Sequence, residues 1–512
     1  MVLWILTAVV LSWSLATGGA TASGFTVDAF GQLVAVPLIA VAACVWWTFR
    51  TPANVGGMSR FGISPLLPVP LVLIVALVAL QIWPIGLHSA GAALGVGSTV
   101  GIPAGAALPG DWRTVSVVPM ATMAAGLSPL APIAVFLATG CIDRAGRRAL
   151  AAIVVGIGMI SLALGLMQVA QGDASRLRFY PFTNTSEAVG LFANRNHFSA
   201  QLYIILLLGG AWLASRVGPL TRSLRRGSQA SLELAGYAAF VFAVLAAAAL
   251  SRSRAGMALT LVAIVAIALM ARSAGRSSHR DSPRSSGALA MIIILGSASL
   301  FALQFGMQRI FSRFESAVIE DLRWPFLETT VAAIWNSLPF GTGLGSFVAI
   351  YGGIESTAHV FRGYANRAHN DLAEVLLETG LIGAVLLALF LIWFINRAVR
   401  VWRQPLDDDQ LDGLLQRAAS VAIALLLLHS LLDYPLRTTS NAVMFAFACA
   451  LLLPAPQARM RAPVRQLEPS RRRSESSSAI PAVAPAPATP WKSGTEVQWP
   501  DAWQGERAKN EH

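Results

Sequence analysis

The chain has 512 residues, of which 55% are hydrophobic and 12% are charged, and its formal net charge is +12. A water-soluble fold cannot bury so much apolar surface, so this composition indicates a helical membrane protein. The charge comes almost entirely from arginine, since lysine occurs only at Lys492 and Lys509, and the absence of a soluble basic domain argues against nucleic-acid binding.

Apolar segments recur along the chain, and each approaches the length of about twenty residues that crosses a bilayer as a helix. They lie at 2–19, 33–49, 66–83, 123–140, 149–170, 198–214, 235–250, 255–271, 288–305, 372–395, 418–432 and 438–453. The first segment lacks the positive leading region of a signal peptide, so we expect an uncleaved helix there. The sequence therefore predicts an all-α, polytopic bundle of about twelve transmembrane helices.

Short connections that are rich in arginine alternate along the chain with connections that contain little arginine. This alternation predicts how the protein is oriented across the membrane. The rich connections contain Arg50 and Arg60; Arg144, Arg147 and Arg148; Arg216, Arg222, Arg225 and Arg226; Arg272, Arg276, Arg280 and Arg284; and Arg397, Arg400, Arg403 and Arg417. All of them fall on one side if both termini are cytoplasmic. The segments 84–122, 171–197, 306–371 and 433–437 then lie on the outer side, where we expect any chemistry.

The longest outer segment, 306–371, joins the ninth and tenth predicted helices and is too long for a mere connector. Its stretches Gln308–Phe314 and Trp324–Leu327 predict short amphipathic helices at the bilayer surface, and Gly341–Gly345 predicts a tight loop. A segment of this size usually forms a lid or a binding element. Beyond residue 455 the composition predicts a disordered cytoplasmic tail.

The expected organisation is therefore N-terminal transmembrane helices at 1–148, a membrane core at 149–455 that includes the outer segment, and a tail at 456–512.

Arg252 and Arg254 lie in a short turn that this orientation places outside, where arginine is normally scarce. A helix starts here, with Ser251 or Ser253 available as N-cap. Free backbone N–H groups, the positive end of the helix dipole and two guanidinium groups suit a phosphate or diphosphate. The alternative is that the arginines only anchor to lipid headgroups.

A second polar segment, Gly190–Phe198, precedes another predicted helix on the same side. Arg195, Asn196 and His197 enter an apolar helix and need partners or water, and Arg176 upstream adds positive charge. These residues are candidates for substrate binding. The alternative, compatible with it, is a capping turn with Asn196 as N-cap.

A third polar segment opens the tenth predicted helix at His369 and Asn370. Asp371, Glu374 and Glu378 follow at helical spacing on one face, and outer arginines are the natural partners of carboxylates that enter a membrane. His369 is placed where a base is needed, because imidazole titrates near neutral pH. The alternative for His369 is a hydrogen-bonding cap.

No clear metal site is predicted, and no cofactor. Cys44, Cys141 and Cys449 each fall in or beside an apolar segment, which argues against a disulfide framework and against zinc. Glu320 and Asp321 are a weak metal candidate on the outer side.

In this order, the polar segments resemble the O-antigen ligase and O-antigen polymerase family of bacterial envelopes. The similar stretches are Gly190–Phe198, Ser251–Gly256, Gly341–Phe347, Ala368–Gly383 and His429–Pro435. They span roughly residues 150–455, while the first helices are similar only in being hydrophobic.

The resemblance implies a bundle with a large periplasmic loop in the bacterial inner membrane. Arg252 and Arg254 would hold the diphosphate of an undecaprenyl-diphosphate-linked glycan, and His369 would activate a hydroxyl of lipid A-core or of a growing glycan. Transfer would invert the anomeric centre without a metal. The candidate substrate-binding residues around them are Arg176, Arg195, Asn196, His197, Asn370 and Glu378.

A transporter or flippase of the same lipid-linked glycan is the alternative function. It too would need arginines for the diphosphate. Alternating access predicts charged or broken helices near mid-membrane, whereas the polar residues of this sequence crowd one side, which favours an enzyme.

Overall fold

The computed structural model describes residues 1–21, 25–49, 63–86, 112–223, 228–277, 296, 323–355, 367–407 and 409–456. The described chain is almost entirely helical, which confirms the all-α class; it also has one antiparallel pair of two-residue strands, β1 (Ile85–Gly86) and β2 (Trp112–Arg113). These residues belong to one unit, Met1–Arg459. The predicted tail at 456–512 lies, except for its first residue, outside the described residues.

The helices, in chain order, are α1 (Val2–Thr17), α2 (Phe25–Phe49), α3 (Val69–Ile82), α4 (Pro119–Leu127), α5 (Leu130–Gly140), α6 (Arg144–Gln171), α7 (Arg195–Ser223), α8 (Ser228–Ser251), α9 (Arg254–Ser277), α10 (Arg323–Ser337), α11 (Phe347–Ile354), α12 (Asp371–Arg403), α13 (Leu411–His429) and α14 (Thr439–Leu452). A short 3-10 helix, Pro435–Arg437, joins α13 to α14.

Eight helical spans in the described residues are long and apolar enough to cross a membrane, and α1, α3 and α14 are shorter apolar helices. Each predicted segment coincides with one of these elements except 288–305, which lies outside the described residues. The chain is therefore a multi-pass membrane protein, while the count of about twelve transmembrane helices stays a prediction.

Helix α7 lies at the centre of the bundle, where it packs against α8, α9 and α13. Within its membrane span 83% of the residues are buried, more than in any other described span. Small residues permit the close approach: a Cβ on Gly210 would lie 2.6 Å from Ile267 of α9. Close packing of this kind holds helices together in lipid, where the hydrophobic effect between helices is weak.

The predicted loop at Arg144–Arg148 is wrong, because α6 already begins at Arg144. Asp143 caps the helix by accepting a hydrogen bond from the Gly146 amide at 2.9 Å. Arg147 is only 4% exposed and donates to carbonyl oxygens at the ends of two helices, among them Leu453 at 2.7 Å. An N-cap and local acceptors thus extend the helix into a segment whose charge indicated a connection.

Within the segment 306–371, the helix predicted at Trp324–Leu327 forms as the first turn of α10. It is amphipathic: Phe326 and Ala333 are buried, whereas Trp324 and Trp335 are 76% and 72% exposed. The other predicted helix, Gln308–Phe314, lies outside the described residues.

The tight loop predicted at Gly341–Gly345 is confirmed. Gly341, Gly343 and Gly345 all have positive φ, at 76°, 101° and 75°. The loop packs on α12, where the Gly343 amide donates to the Glu378 carbonyl at 2.9 Å. At Gly380 the backbone of α12 leaves the helical conformation, with φ 57° and ψ −143°. The loop therefore braces a break in a membrane helix.

Candidate functional site

Helices α7, α9 and α12 all begin at the same end of the bundle, here named the site end. The starts of α7 and α9 are in close contact, since a Cβ on Gly256 would lie 2.1 Å from Ser199 Oγ. The start of α12 contacts the end of α13, where the Asp371 amide donates to the Ser430 carbonyl at 2.9 Å. Asn196 of α7 donates to Asp433, which follows α13, so the polar segments that open α7, α9 and α12 are neighbours.

His369 immediately precedes α12 and has a left-handed backbone, with φ 52°. Its Nδ1 lies 3.2 Å from Asp433 Oδ1. The ring packs against Tyr434 at 4.9 Å and stacks on Phe326 at 6.2 Å between centroids. The side chain is 24% exposed. A substrate can therefore reach the imidazole, whose orientation is fixed by Asp433, Tyr434 and Phe326.

Asp433 is 1% exposed and lies between α13 and the 3-10 helix. Its Oδ1 also accepts from the Tyr434 amide at 3.0 Å, and its Oδ2 accepts from Asn196 Nδ2. A carboxylate held in this way orients a histidine and stabilises its protonated form, as a general base requires. Burial raises the pKa of the Tyr434 phenol, and Asp433 adds to the rise, so this neighbour stays neutral.

Asn196 links this pair to the start of α7. The alternative role of Asn196 as N-cap is wrong: Asn194 Oδ1 accepts from the Asn196 amide at 2.8 Å, so Asn194 caps the helix. The Asn196 side chain instead donates to Asp433.

Positively charged residues surround one buried carboxylate at the site end. Glu187 is 3% exposed, and its Oε1 lies 3.1 Å from Arg195 Nη1 and 3.9 Å from Arg252 Nη1. Arg178 donates to the Glu187 carbonyl at 3.0 Å, and burial lowers the pKa of its guanidinium. Arginine outnumbers carboxylate here, which suits an anionic ligand.

The Arg252 turn caps α9. Ser253, rather than Ser251, is the N-cap, because its Oγ accepts from the Gly256 amide at 3.1 Å. Arg252 has a positive φ of 53° and a side chain that is 27% exposed. Arg254 is the first residue of α9 and is exposed. The turn thus presents both guanidinium groups beside a helix N-terminus.

The carboxylates of α12 are paired with arginines, as their position suggested, but the partners are Arg367 and Arg437. Arg437 lies 3.5 Å from Asp371, 3.4 Å from Glu374 and 3.2 Å from Glu378, and Arg367 lies 2.8 Å from Glu374. Burial alone would lower the pKa of Arg437, but the carboxylates raise it above its ordinary value. This ion network fixes the start of α12 against the 3-10 helix.

The remaining candidate residues differ in accessibility. Arg176 is exposed. Asn370 caps α12 by accepting from the Ala373 amide, and its Nδ2 donates to the Leu431 carbonyl at 3.0 Å. His197 is 2% exposed behind Tyr434, and Glu378 is 0% exposed within the ion network. Because both side chains are buried, neither His197 nor Glu378 can contact a substrate directly in this conformation.

Sequence reasoning missed Asp433, Arg437 and Glu187 as members of this cluster. The available signal was their position: Asp433 and Arg437 lie in a short connection between two apolar helices, where polar residues need partners. In the described residues no group of three or more metal-ligating side chains is arranged to hold a metal ion. Glu320 and Asp321 lie outside them.

Residues 238–388 match the family model described as O-antigen ligase. No curated protein matches the chain. The matched range includes Arg252, Arg254 and His369 but ends before Asp433 and Arg437. The match confirms the family resemblance, and with the apolar helices it indicates a membrane enzyme that processes glycans.

Proposed function

We propose, from the O-antigen ligase domain at residues 238–388, that this protein is an inverting glycosyltransferase of the bacterial inner membrane. It transfers a glycan from undecaprenyl diphosphate to lipid A-core or to a growing glycan at the periplasmic face. We propose the same division of the chain as above: N-terminal transmembrane helices at 1–148, a membrane core at 149–455 with its outer segment, and a tail at 456–512.

The observation that carries the proposal is the pairing of His369 with Asp433 at 3.2 Å. Through Asn196, this pair is joined to the start of α7, where Arg195 and Arg252 share Glu187. A base and a group of cations are thereby held by one set of contacts. Transfer from a lipid diphosphate needs both: a base for the attacking hydroxyl and positive charge for the departing anion.

In the proposed step, His369 takes the proton of the acceptor hydroxyl while that oxygen attacks the anomeric carbon. The bond from this carbon to the diphosphate oxygen breaks, and polyprenyl diphosphate leaves with the electron pair. Arg252 and Arg254 bind the diphosphate, and Arg176 and Arg195 add positive charge around it. Attack from the side opposite the leaving group inverts the anomeric centre. The carboxylate of Asp433 stabilises the imidazolium that forms, and no metal takes part.

The experiment is a gene deletion followed by analysis of lipid-linked intermediates, with complementation by wild type and by His369→Ala. Long carrier-linked chains accumulating outside identify a ligase, and single repeat units identify a polymerase. Wild type must restore the surface glycan and His369→Ala must fail at an equal protein level. Restoration by His369→Ala contradicts the proposal.

A transporter of the same lipid-linked glycan is the second candidate, because α12 is broken at Gly380. The break lies nine residues, or about 14 Å, from the start of the helix, and broken membrane helices occur in transporters. The deletion separates the two functions, since repeat units held on the cytoplasmic leaflet identify a flippase.

A further inference from the structure

A cavity of about 770 Å³ lies at the end of the bundle opposite the site end. The ends of α9 and α12 and the start of α13 form it, and its lining includes Leu269, Arg272, Trp402, Arg403, Leu406 and Arg417. Arg272 follows Arg254 by eighteen residues of one helix, or about 27 Å. Glycosyl transfer at the site end therefore does not use this cavity.

Arg417 forms the inner wall of the cavity and is only 3% exposed. Its guanidinium donates to the Gln404 carbonyl at 2.9 Å and to Ser273 Oγ, and it lies 5.3 Å from the centre of the Trp402 ring. These contacts fix the group in one orientation. The excess of arginine on the cytoplasmic side of membrane proteins explains charges at the surface, but not a charge that is buried and held.

Arg272, Arg403 and Arg417 form no ion pair with any carboxylate among the described residues. The described acidic residues nearby are engaged elsewhere: Asp409 and Asp412 both lie 2.6 Å from Arg148. The cavity thus gathers positive charge that its described surroundings do not neutralise, and an anion would offset the cost of burying Arg417.

We infer that this cavity binds the headgroup phosphate of an anionic phospholipid. Guanidinium groups bind phosphate through paired hydrogen bonds, which suits Arg272, Arg403 and Arg417. Leu269 and Leu406 give the cavity an apolar wall for the glycerol and the first acyl carbons. Basic pockets between transmembrane helices at the cytoplasmic side bind anionic headgroups in this way. The lipid would tie α9, α12 and α13 together at this end.

The test uses the full-length protein in detergent, with phosphatidylglycerol and phosphatidylethanolamine compared as ligands by native mass spectrometry. The test variant is R272Q/R403Q, which removes the two exposed arginines of the cavity. Arg417 is kept because its hydrogen bond to the Gln404 carbonyl also holds the end of α12. The matched control is R144Q/R400Q. It removes the same charge from the same end of the bundle at positions that do not line the cavity.

We expect phosphatidylglycerol to bind wild type and the control equally, and R272Q/R403Q at least roughly tenfold more weakly, from the contribution of each arginine near a membrane surface. Phosphatidylethanolamine should bind all three proteins weakly. An equal loss in both variants, or no loss in R272Q/R403Q, would overturn the inference. Inorganic phosphate is added separately: failure to displace the lipid supports the lipid as ligand, and displacement at millimolar phosphate would show a site for free anions instead.

Discussion

His369 and Arg252 both have a left-handed backbone, with φ near 52° and 53°, although neither is glycine. Such a conformation costs of order 1–3 kcal/mol and persists only where the surroundings impose it, which is common at functional sites. At His369 the fixing contacts are Asp433 and the cap at Asn370; at Arg252 they are Glu187 and the cap at Ser253.

Asp433→Asn should reduce glycan transfer at least tenfold, because an amide cannot stabilise the imidazolium of His369. The double variant with His369→Ala should be no slower than His369→Ala alone, since both changes remove one catalytic unit. Transfer rates of the purified variants test this. Asp173→Asn, an exposed change at the same end of the bundle, is the control. Independent, multiplicative losses would show that the two residues do not act together.

Arg437→Gln should destabilise the protein by about 3–5 kcal/mol, because it leaves buried carboxylates of α12 without their partner. Arg144→Gln, which breaks two ion pairs at 3.5 Å in which the arginine side chain is 52% exposed, should cost less than about 1 kcal/mol. The unfolding temperature in detergent measures both. Equal temperatures for the two variants would contradict the role given to Arg437.

Candidate residues could be identified from the sequence only where a polar or charged side chain appeared in an unexpected place. Arg252, Arg254 and His369 were identified as candidates in this way, and their roles stay predictions. Asp433 was not, because its pairing with His369 brings together residues 64 positions apart, and nothing in either local segment specifies that contact.

Among the secondary-structure elements, the main feature that could not be predicted from the sequence is the break in α12. The segment 372–395 reads as one continuous helix, and glycine is ordinary in transmembrane helices. The break depends on Pro339 and the following loop, since the Leu381 amide donates to the Pro339 carbonyl at 2.8 Å. By contrast, the loop Gly341–Gly345 was predictable, because repeated glycine at close spacing is a local signal.

Gly380→Ala should displace the loop and destabilise the site end. A Cβ there would lie 2.2 Å from the Pro339 carbonyl oxygen, and the φ of 57° is unfavourable for alanine. We expect a loss of about 1–3 kcal/mol in stability, with reduced transfer. Gly353→Ala, where nothing lies within 4 Å of the added Cβ, is the matched control. Unfolding temperature and transfer rate are measured together, and an unchanged Gly380→Ala would refute the bracing role of the loop.

The bundle as a whole was largely predictable, because apolar length alone locates membrane helices. Orientation across the membrane rests on the arginine distribution and is part of the proposed function. The ends of helices were less predictable: α6 starts at Arg144 and α12 continues to Arg403, so charges expected in connections belong to helix termini.

Cysteine labelling tests the orientation. In a variant lacking Cys44, Cys141 and Cys449, we introduce Asp173→Cys at the site end or Gln404→Cys at the opposite end. A membrane-impermeant maleimide should reach residue 173 from the periplasm and residue 404 only after the inner membrane is opened. The reverse pattern would place the site end in the cytoplasm and contradict periplasmic transfer.

The most direct measurement is transfer by the purified protein in liposomes, with a synthetic polyprenyl-diphosphate glycan and a defined acceptor. Wild type should release polyprenyl diphosphate and form the glycosylated acceptor. His369→Ala should be at least about a hundredfold slower at an unchanged unfolding temperature, because general-base catalysis contributes roughly that much or more. Equal rates for wild type and His369→Ala would show that His369 is not the general base of the transfer.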